Sequence, residues 1–510
     1  ILQANSVVGG TSTFDLMVNG NLLFTGNDNT FGDAAGNRVN CVVDNGGSLR
    51  TVAGAQLNCG TRIPMTLTLN NGTVWIDTLA FGRGTGTGDR PGSTALFINK
   101  GTFTVQSYFG WMSSVATSCT NTVTLGNGVT NIATLSTPAM SQASSTGTTI
   151  LNLNGGTLEC RAASSSFLSG LDQVNVLAGG AVIDTSSNAV TFVEAFTHAA
   201  ALGSSNDGGL IKRGSGSLTL TGGPHSFNGP LRVEDGSIRI AGAMATNLTE
   251  ITLTAGKTLR FLGSAQQALR PALLTLGDAA TSSRLDFDVA SDGSDCDTIQ
   301  IPVGGYVGKL NIYFWIRNSL GLENAVTRAG DYPIFTYVSE PPDLSLLTHA
   351  NRSFGTTSAF VVDRANKQVL LRIATFASET TWTNTVGSAW ETASNWWPGA
   401  PVSAPASRAR FWSAISAPST VTLDTDTTCG GISFNSTQRY TLAGSGVLTF
   451  GDQFNSGYFT CDAGSHTVNL ALNLLYPTLM NVPASQTFTL NGVIAGNGGI
   501  IKGNPGTLLL

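Results

Sequence analysis

Two aspartates at i, i+2 spacing are the clearest candidates for chemistry in the sequence. Asp286 and Asp288 alternate with Leu285, Phe287 and Val289, which predicts a strand with one apolar face and one outward, acidic face. The spacing places the carboxylates roughly 7 Å apart, within the range of paired glycosidase carboxylates. A polysaccharide lyase or glycoside hydrolase is therefore an alternative. We favour a solvated strand face, because the sequence has no basic cluster that would bind an acidic sugar.

Other metal-binding and catalytic patterns are weak. Asp292, Asp295 and Asp297 could bind calcium in a turn, but their spacing does not match an EF-hand loop, and we favour a charged surface loop. The four histidines lack metal-ligand spacing and are expected on the surface or in turns: His198, His225, His349 and His466. The sequence has no G-x-S-x-G, P-loop, H-E-x-x-H or Rossmann motif. We predict no catalytic residue, no metal and no cofactor.

Tryptophans cluster in one stretch of the sequence. Five of the eight lie between positions 382 and 412: Trp382, Trp390, Trp396, Trp397 and Trp412. Exposed tryptophans bind sugars, so Trp390, Trp396 and Trp397 are candidates for a carbohydrate-binding aromatic platform. The alternative, which we favour, is an aromatic plug that seals the apolar end of a stack of coils.

Composition argues against several classes of protein. Of the 510 residues, 11% are charged and 61 are glycine, and the net charge is −5. Lysine and arginine never form a run longer than a pair, so the footprint of a nucleic-acid-binding protein is missing. No uninterrupted apolar stretch approaches the roughly 20 residues of a membrane span. The seven cysteines form no C-x-x-C motif, and we expect small buried hydrophobic residues rather than disulfides.

Glycine turns set a period along the chain. Stretches that alternate apolar and polar residues flank glycines spaced 24 to 29 residues apart: Gly20, Gly47, Gly72, Gly101, Gly128, Gly156 and Gly180. Such a strand cannot bury its apolar face alone, whereas stacked coils bury it continuously and pair their backbone groups. The predicted fold class is all-β, a right-handed parallel β-helix (β-solenoid) with an interruption near residues 375–415. The alternative is a series of antiparallel β-sandwiches.

Two segments carry a distinctive repeat. Residues 208–222 have the sequence GGLIKRGSGSLTLTG, followed by HSFNG at 225–229, and residues 498–510 repeat the first part with Lys502 at the position of Lys212. This pattern resembles the autotransporter-associated β-strand repeat, with Phe227 at a position where that family usually has tyrosine. The resemblance implies a parallel β-helix in a secreted or surface-displayed protein of a Gram-negative bacterium.

The pattern divides the chain into three parts. Residues 1–290 are predicted to form a β-helix with coils of 24–29 residues, and 291–375 are the end segment of this first unit. Residues 376–510 are predicted to start a second unit with a tryptophan-rich opening. The first residue is Ile1 rather than methionine, which we interpret as a removed leader or a fragment.

These patterns lead us to expect a secreted or cell-surface protein, a stiff structural or adhesive rod without catalysis. Thr507, Leu508, Leu509 and Leu510 are expected to pair with another copy and to build head-to-tail filaments. The expected partners are copies of the chain itself and glycans or other cell-surface molecules, with no nucleic acid. The alternative function is a polysaccharide-degrading or glycan-binding β-helix protein.

Overall fold

The chain winds into stacked β-coils, about 17 turns in all. The structure is a computed structural model that describes residues 7–8, 14–31, 38–60, 63–81, 93–112, 119–129, 132–144, 147–263, 266–317, 324–351, 356–375, 378–399, 401–405, 407–451 and 457–510. Ile1 lies outside these residues. The described part contains no α-helix and three short 3₁₀ turns: Ala200–Leu202, Leu344–Leu346 and Ala393–Asn395.

Three faces of parallel strands surround the core of a first solenoid. The first face is an eight-stranded sheet: Phe14–Val18, Val39–Val43, Met65–Leu69, Thr94–Ile98, Thr120–Leu125, Thr148–Leu153, Gln173–Val176 and Phe196–His198. The second face follows the glycine turns: Asn21–Phe24, Gly47–Thr51, Ala133–Thr137, Thr157–Cys160, Ala181–Asp184, Leu210–Arg213, Leu231–Val233, Glu250–Leu253, Leu273–Leu276 and Tyr306–Val307.

The third face completes each coil. Its strands are Val7–Val8, Asp28–Phe31, Gln56–Cys59, Met140–Ser144, Ser164–Ser169, Ala189–Phe192, Ser217–Leu220, Ser237–Ile240, Thr258–Phe261, Ser283–Val289, Leu310–Ile316 and Leu347–His349. Two long strands, Gly72–Phe81 and Gly101–Met112, contribute to both the second and the third face. These shared strands join the two faces into one 25-stranded sheet.

Antiparallel pairing accompanies the end of the first solenoid. A five-stranded sheet contains Ala268–Leu269, Thr298–Ile301, Gly330–Tyr337, Gln368–Thr375 and Thr356–Asp363. Gln368–Thr375 pairs antiparallel with both Gly330–Tyr337 and Thr356–Asp363, and Asn324–Ala325 pairs antiparallel with Leu310–Ile316.

A second solenoid follows, again with three sheets. The first sheet has seven strands: Trp396–Trp397, Ser378–Trp382, Ser407–Phe411, Gly431–Asn435, Tyr458–Ala463, Thr478–Asn481 and Ile500–Gly503. The second has six: Ser388–Ala389, Ser419–Thr422, Tyr440–Ala443, His466–Val468, Thr487–Leu490 and Thr507–Leu509. The third has four: Thr427–Cys429, Val447–Phe450, Ala471–Leu474 and Ile494–Ala495.

The parallel stacking confirms the predicted β-solenoid, and the alternative of antiparallel sandwiches is wrong. The buried residues form two separate cores, one ending at Ile373 and the other beginning at Trp382. Alternation places Cys41 and Val43 inward, in agreement with the expected burial of the cysteines. All seven cysteines are buried and none of them is in a disulfide, which agrees with their expected role as small hydrophobic residues.

The lysine of the repeat has a structural role that the sequence alone did not reveal. Lys212 is buried, and its Nζ donates hydrogen bonds to the carbonyls of Arg213 (2.6 Å), Gly214 (2.7 Å) and Asp235 (3.2 Å). Burial lowers the pKa of Lys212 to about 8. Lys502 Nζ makes the equivalent contact with the carbonyl of Asn504 at 2.6 Å. In both copies, the lysine therefore binds the turn that follows its strand.

The glycine period reflects direct backbone contact between coils. Gly47 and Gly72 are paired across adjacent strands of the second face, and Gly101 follows on the next coil. A Cβ atom on Gly72 would lie 2.3 Å from the carbonyl oxygen of Gly47, and the φ of Gly72 is +154°. Gly20 begins the same series of turns, but a Cβ atom there meets nothing within 4 Å. Gly72 is thus a position of the series that requires glycine, whereas Gly20 tolerates a side chain.

Replacing Gly72 with alanine is expected to lower the free energy of unfolding by about 3 kcal/mol, because both backbone strain and overlap with Gly47 oppose the methyl group. Gly20→Ala is the matched control and should change it by less than about 1 kcal/mol. Equilibrium urea unfolding of both variants measures the difference. Equal effects of the two substitutions would contradict the contact between glycines.

Candidate functional site

A cluster of charged and aromatic side chains lies on the third face of the last coils of the first solenoid. Three strands position it: Thr258–Phe261, Ser283–Val289 and Leu310–Ile316. In the register of these strands, Arg260, Asp286 and Tyr313 form one outward column, and Asp288 is paired with Trp315. Because neighbouring coils are about 4.8 Å apart, these side chains contact one another.

Asp286 is at the centre of this cluster and is completely buried. Its carboxylate accepts hydrogen bonds from Arg260 Nε (2.8 Å), from Arg284 Nε and Nη2 (both 2.7 Å) and from Trp315 Nε1 (3.0 Å). The Arg284 guanidinium lies 3.8 Å above the ring of Tyr313. The prediction of a solvated strand face is therefore wrong, although Asp286 does point away from the apolar core. Arginines of its own and the preceding coil, and a tryptophan of the next, cover it.

Asp288 belongs to a second ionic group, built around Arg317. Arg317 donates from Nε to Asp288 (2.7 Å) and from Nη1 to Asp295 (2.5 Å), and its Nη2 lies 3.5 Å from Asp297. Burial raises the pKa of Asp288, and burial together with the charge of Asp288 raises the pKa of Asp297 well above its usual range. Asp292 is exposed and accepts from the backbone N–H of Ser294.

These contacts bear on both chemical hypotheses for the acidic residues. Asp295 and Asp297 face a guanidinium instead of a vacant cation position, and across the residues that the structure describes no group of three His, Cys, Asp or Glu side chains could hold a metal ion. Asp286 and Asp288 are both buried and bound by arginine, so a glycosidic oxygen has no access to them. This geometry does not favour the glycosidase-type pair.

Three of the five clustered tryptophans form a buried stack. The rings of Trp382 and Trp396 are 5.2 Å apart and those of Trp390 and Trp396 are 4.8 Å apart, and all three pack on Phe411 at the start of the second core. Trp396 Nε1 donates to the carbonyl of Trp390 at 2.7 Å. The platform prediction is wrong for Trp390 and Trp396, which cannot stack on a sugar. Trp397 is 70% exposed and stays a candidate.

The histidines also differ from expectation, since His225, His349 and His466 are buried rather than on the surface. His225 Nδ1 accepts from the backbone N–H of Phe196 at 3.1 Å, and burial lowers the pKa of His225 to about 4. His198 is partly exposed and forms a 2.9 Å contact from Nδ1 to Asp207. His225 and His466 act as core residues whose Nδ1 accepts from a backbone N–H, that of Phe196 and that of Tyr440.

The predicted assembly strand lies in the last described coil. Thr507–Leu509 pairs in parallel with Thr487–Leu490. Leu509 and Leu510 are exposed. Head-to-tail assembly through Thr507, Leu508, Leu509 and Leu510 stays a prediction.

Sequence reasoning missed a cleft of about 700 Å³ between the two solenoids. Lys309 and Asn311 of the first solenoid line one wall, and Tyr476 and Asn497 of the second line the other. Tyr476 Oη donates to the carbonyl of Leu344 at 3.0 Å, a contact between residues 132 positions apart. Because the two walls come from distant segments, no local motif could have revealed this cleft.

No family model matches this chain, and no curated protein or solved structure is significantly similar to it. The resemblance of residues 208–242 and 498–510 to the autotransporter-associated repeat therefore stays a prediction. In the part of the chain described by the structure, no helix is long and apolar enough to cross a membrane.

Replacing His225 with asparagine is expected to reduce the loss of stability in acid. A buried histidine with a pKa of about 4 stabilises the fold above pH 6.5, and this contribution is lost as the pH falls toward 4. Between pH 7 and 4.5 the wild type should lose about 2 kcal/mol through this group. Asparagine keeps an acceptor for the Phe196 N–H but does not titrate, so urea unfolding at both pH values should show a smaller difference.

Phe227→Leu is the control for this experiment, because Phe227 is buried in the same repeat and does not titrate. This variant should be less stable than the wild type by the same amount at pH 7 and at pH 4.5. A His225→Asn variant as acid-sensitive as the wild type would show that His225 does not carry the effect.

Asp286→Ala is expected to lower the free energy of unfolding by about 3 kcal/mol, because it removes the buried carboxylate shared by Arg260 and Arg284. Asp292→Ala, an exposed aspartate of the next loop, should leave it unchanged. Urea unfolding monitored by tryptophan fluorescence compares the two. If both variants were as stable as the wild type, the Asp286 carboxylate would not stabilise the fold as described above.

Proposed function

We propose that the chain is an extracellular structural and adhesive β-solenoid, displayed at or beyond the surface of a Gram-negative bacterium, and that it performs no catalytic step. The resemblance of residues 208–242 and 498–510 to the autotransporter-associated repeat supports this location. The solenoid is itself the functional device in this proposal, as a stiff spacer that carries an adhesive surface.

The observation that carries the proposal is the way in which outward side chains connect one coil to the next. Asparagine amides donate hydrogen bonds to side chains of the neighbouring coil and form ladders on both solenoids: Asn40 to the Asp15 carboxylate (2.6 Å), Asn99 to Asn70 (2.9 Å), Asn175 to Asn152 (3.0 Å) and Asn491 to Asn469 (2.9 Å). These ladders add to the backbone pairing between coils and resist their separation. A wall of this kind suits a load-bearing spacer.

Self-association and adhesion are the proposed modes of action. Copies of the chain would pair through Thr507, Leu508, Leu509 and Leu510, and glycans or other cell-surface molecules would be the external partners. The second candidate function is glycan binding by a protein that does not assemble into fibres. The exposed Trp397 and the cleft between the solenoids favour it. Polysaccharide degradation is less favoured, because Asp286 and Asp288 are covered by arginines.

Surface labelling of intact cells tests the location. A membrane-impermeant amine reagent should label the protein in the bacterium that produces it, since Lys100 and Lys309 are exposed, and protease added to the medium should release it. An abundant cytoplasmic protein is the control and should be labelled only after lysis. Labelling of the chain only after lysis would overturn the extracellular role.

A further inference from the structure

The cleft between the solenoids has walls of different origin. The first solenoid contributes Asn311 and Thr348, which are paired on successive coils of the third face, and Lys309, which immediately precedes the strand Leu310–Ile316. The second contributes Tyr476, from a corner between two strands, and Asn497. The volume of about 700 Å³ falls within the range of ligand-binding pockets, about 300–1,000 Å³.

The lining is chemically suited to sugar hydroxyl groups. Asn311 and Asn497 each offer an amide donor and an amide acceptor, and Ser345 and Thr348 offer hydroxyls. Apolar side chains line the same cleft, among them Leu475, which is 41% exposed. A lining that has both polar and apolar groups matches the hydroxyl groups and C–H faces of a pyranose ring.

The charge of the lining has one sign. Among the described residues that line the cleft, Lys309 is the one that carries a charge, although the chain as a whole has a net charge of −5. The column next to it leads to a second cation, because Asn311 lies in register between Thr348 and Arg284, whose guanidinium is bound to Asp286. A ligand that followed this column out of the cleft would meet the Arg284 guanidinium above Tyr313.

We propose that the cleft binds an acidic oligosaccharide, a short segment of a uronic-acid polysaccharide, with a carboxylate at Lys309 and hydroxyls at the amide and hydroxyl groups of both walls. This inference rests on the proposed adhesive function and gives it a ligand class. A nucleic acid segment would bring several phosphates into a cleft that offers one cation, whereas the proposed ligand needs a single carboxylate there. An apolar ligand would leave the two asparagines without partners.

Calorimetric titration of the full chain with two matched probes tests the proposal. The probes are tetragalacturonic acid and its fully methyl-esterified form, which has the same sugar rings but no charge. The wild type should bind the acid saturably and the ester about tenfold more weakly. Lys309→Gln should weaken binding of the acid about tenfold and leave binding of the ester unchanged.

Two further variants complete the design. Lys100→Gln makes the same charge change at an exposed turn of a distant coil and should bind both probes like the wild type. Asn497→Ala, also at an exposed position, should weaken both probes, because it removes a wall group that does not depend on the ligand's charge. Circular dichroism should show unchanged folding in all three variants.

Three outcomes would overturn the proposal: no binding of the acid at millimolar concentration, equal affinity for acid and ester, or equal effects of Lys309→Gln and Lys100→Gln. The titration uses purified protein, so it does not depend on where the protein is located. If the chain binds uronate but is not labelled on intact cells, only the proposed function is refuted. If it is labelled on intact cells but binds neither probe, only this inference is refuted.

Discussion

The structure depends on hydrogen bonding between strands that are one coil apart. A strand of four or five residues cannot satisfy its own N–H and C=O groups, and each inner strand of the first face pairs in parallel with those of the coils before and after it. Because this pairing stays in register over long stretches, each residue has its axial neighbours one coil away in sequence. Inward columns form the core, outward columns form amide ladders, and Gly47, Gly72 and Gly101 form a column of touching backbones.

The fold could be predicted because its determinants are local in sequence. Apolar residues at i and i+2, such as Cys41 and Val43, identify the inward face of a strand without knowledge of any other coil. The turn glycines then give the coil length directly. The boundary between the two cores, from Ile373 to Trp382, falls at the start of the predicted interruption, where the repeat gives way to a tryptophan-rich sequence.

The candidate site could be predicted only in part, because its surroundings come from other coils. Alternation correctly separates Asp286 from Leu285 and Phe287, but the burial of Asp286 depends on Arg260, 26 residues earlier, and on Trp315, 29 residues later. The coil period would have placed these residues beside Asp286 if it had been applied to every outward position. The coil period could not have predicted the cleft, because the period of one solenoid carries no information about its contact with another.

Stacking also limits where a solenoid can form a concave binding site. Inside a continuous stack, every outward side chain has a neighbour about 4.8 Å away on the next coil, so polar groups bind one another along flat walls. A cavity whose hydrogen-bonding groups can bind a ligand forms most easily where continuous stacking ends and the walls of two different solenoids meet. Lys309 and Tyr476 lie at such a junction, with a rigid solenoid behind each of them. Changes in ligand recognition are therefore expected to arise from substitutions at the junction, while substitutions along the faces mainly change stability.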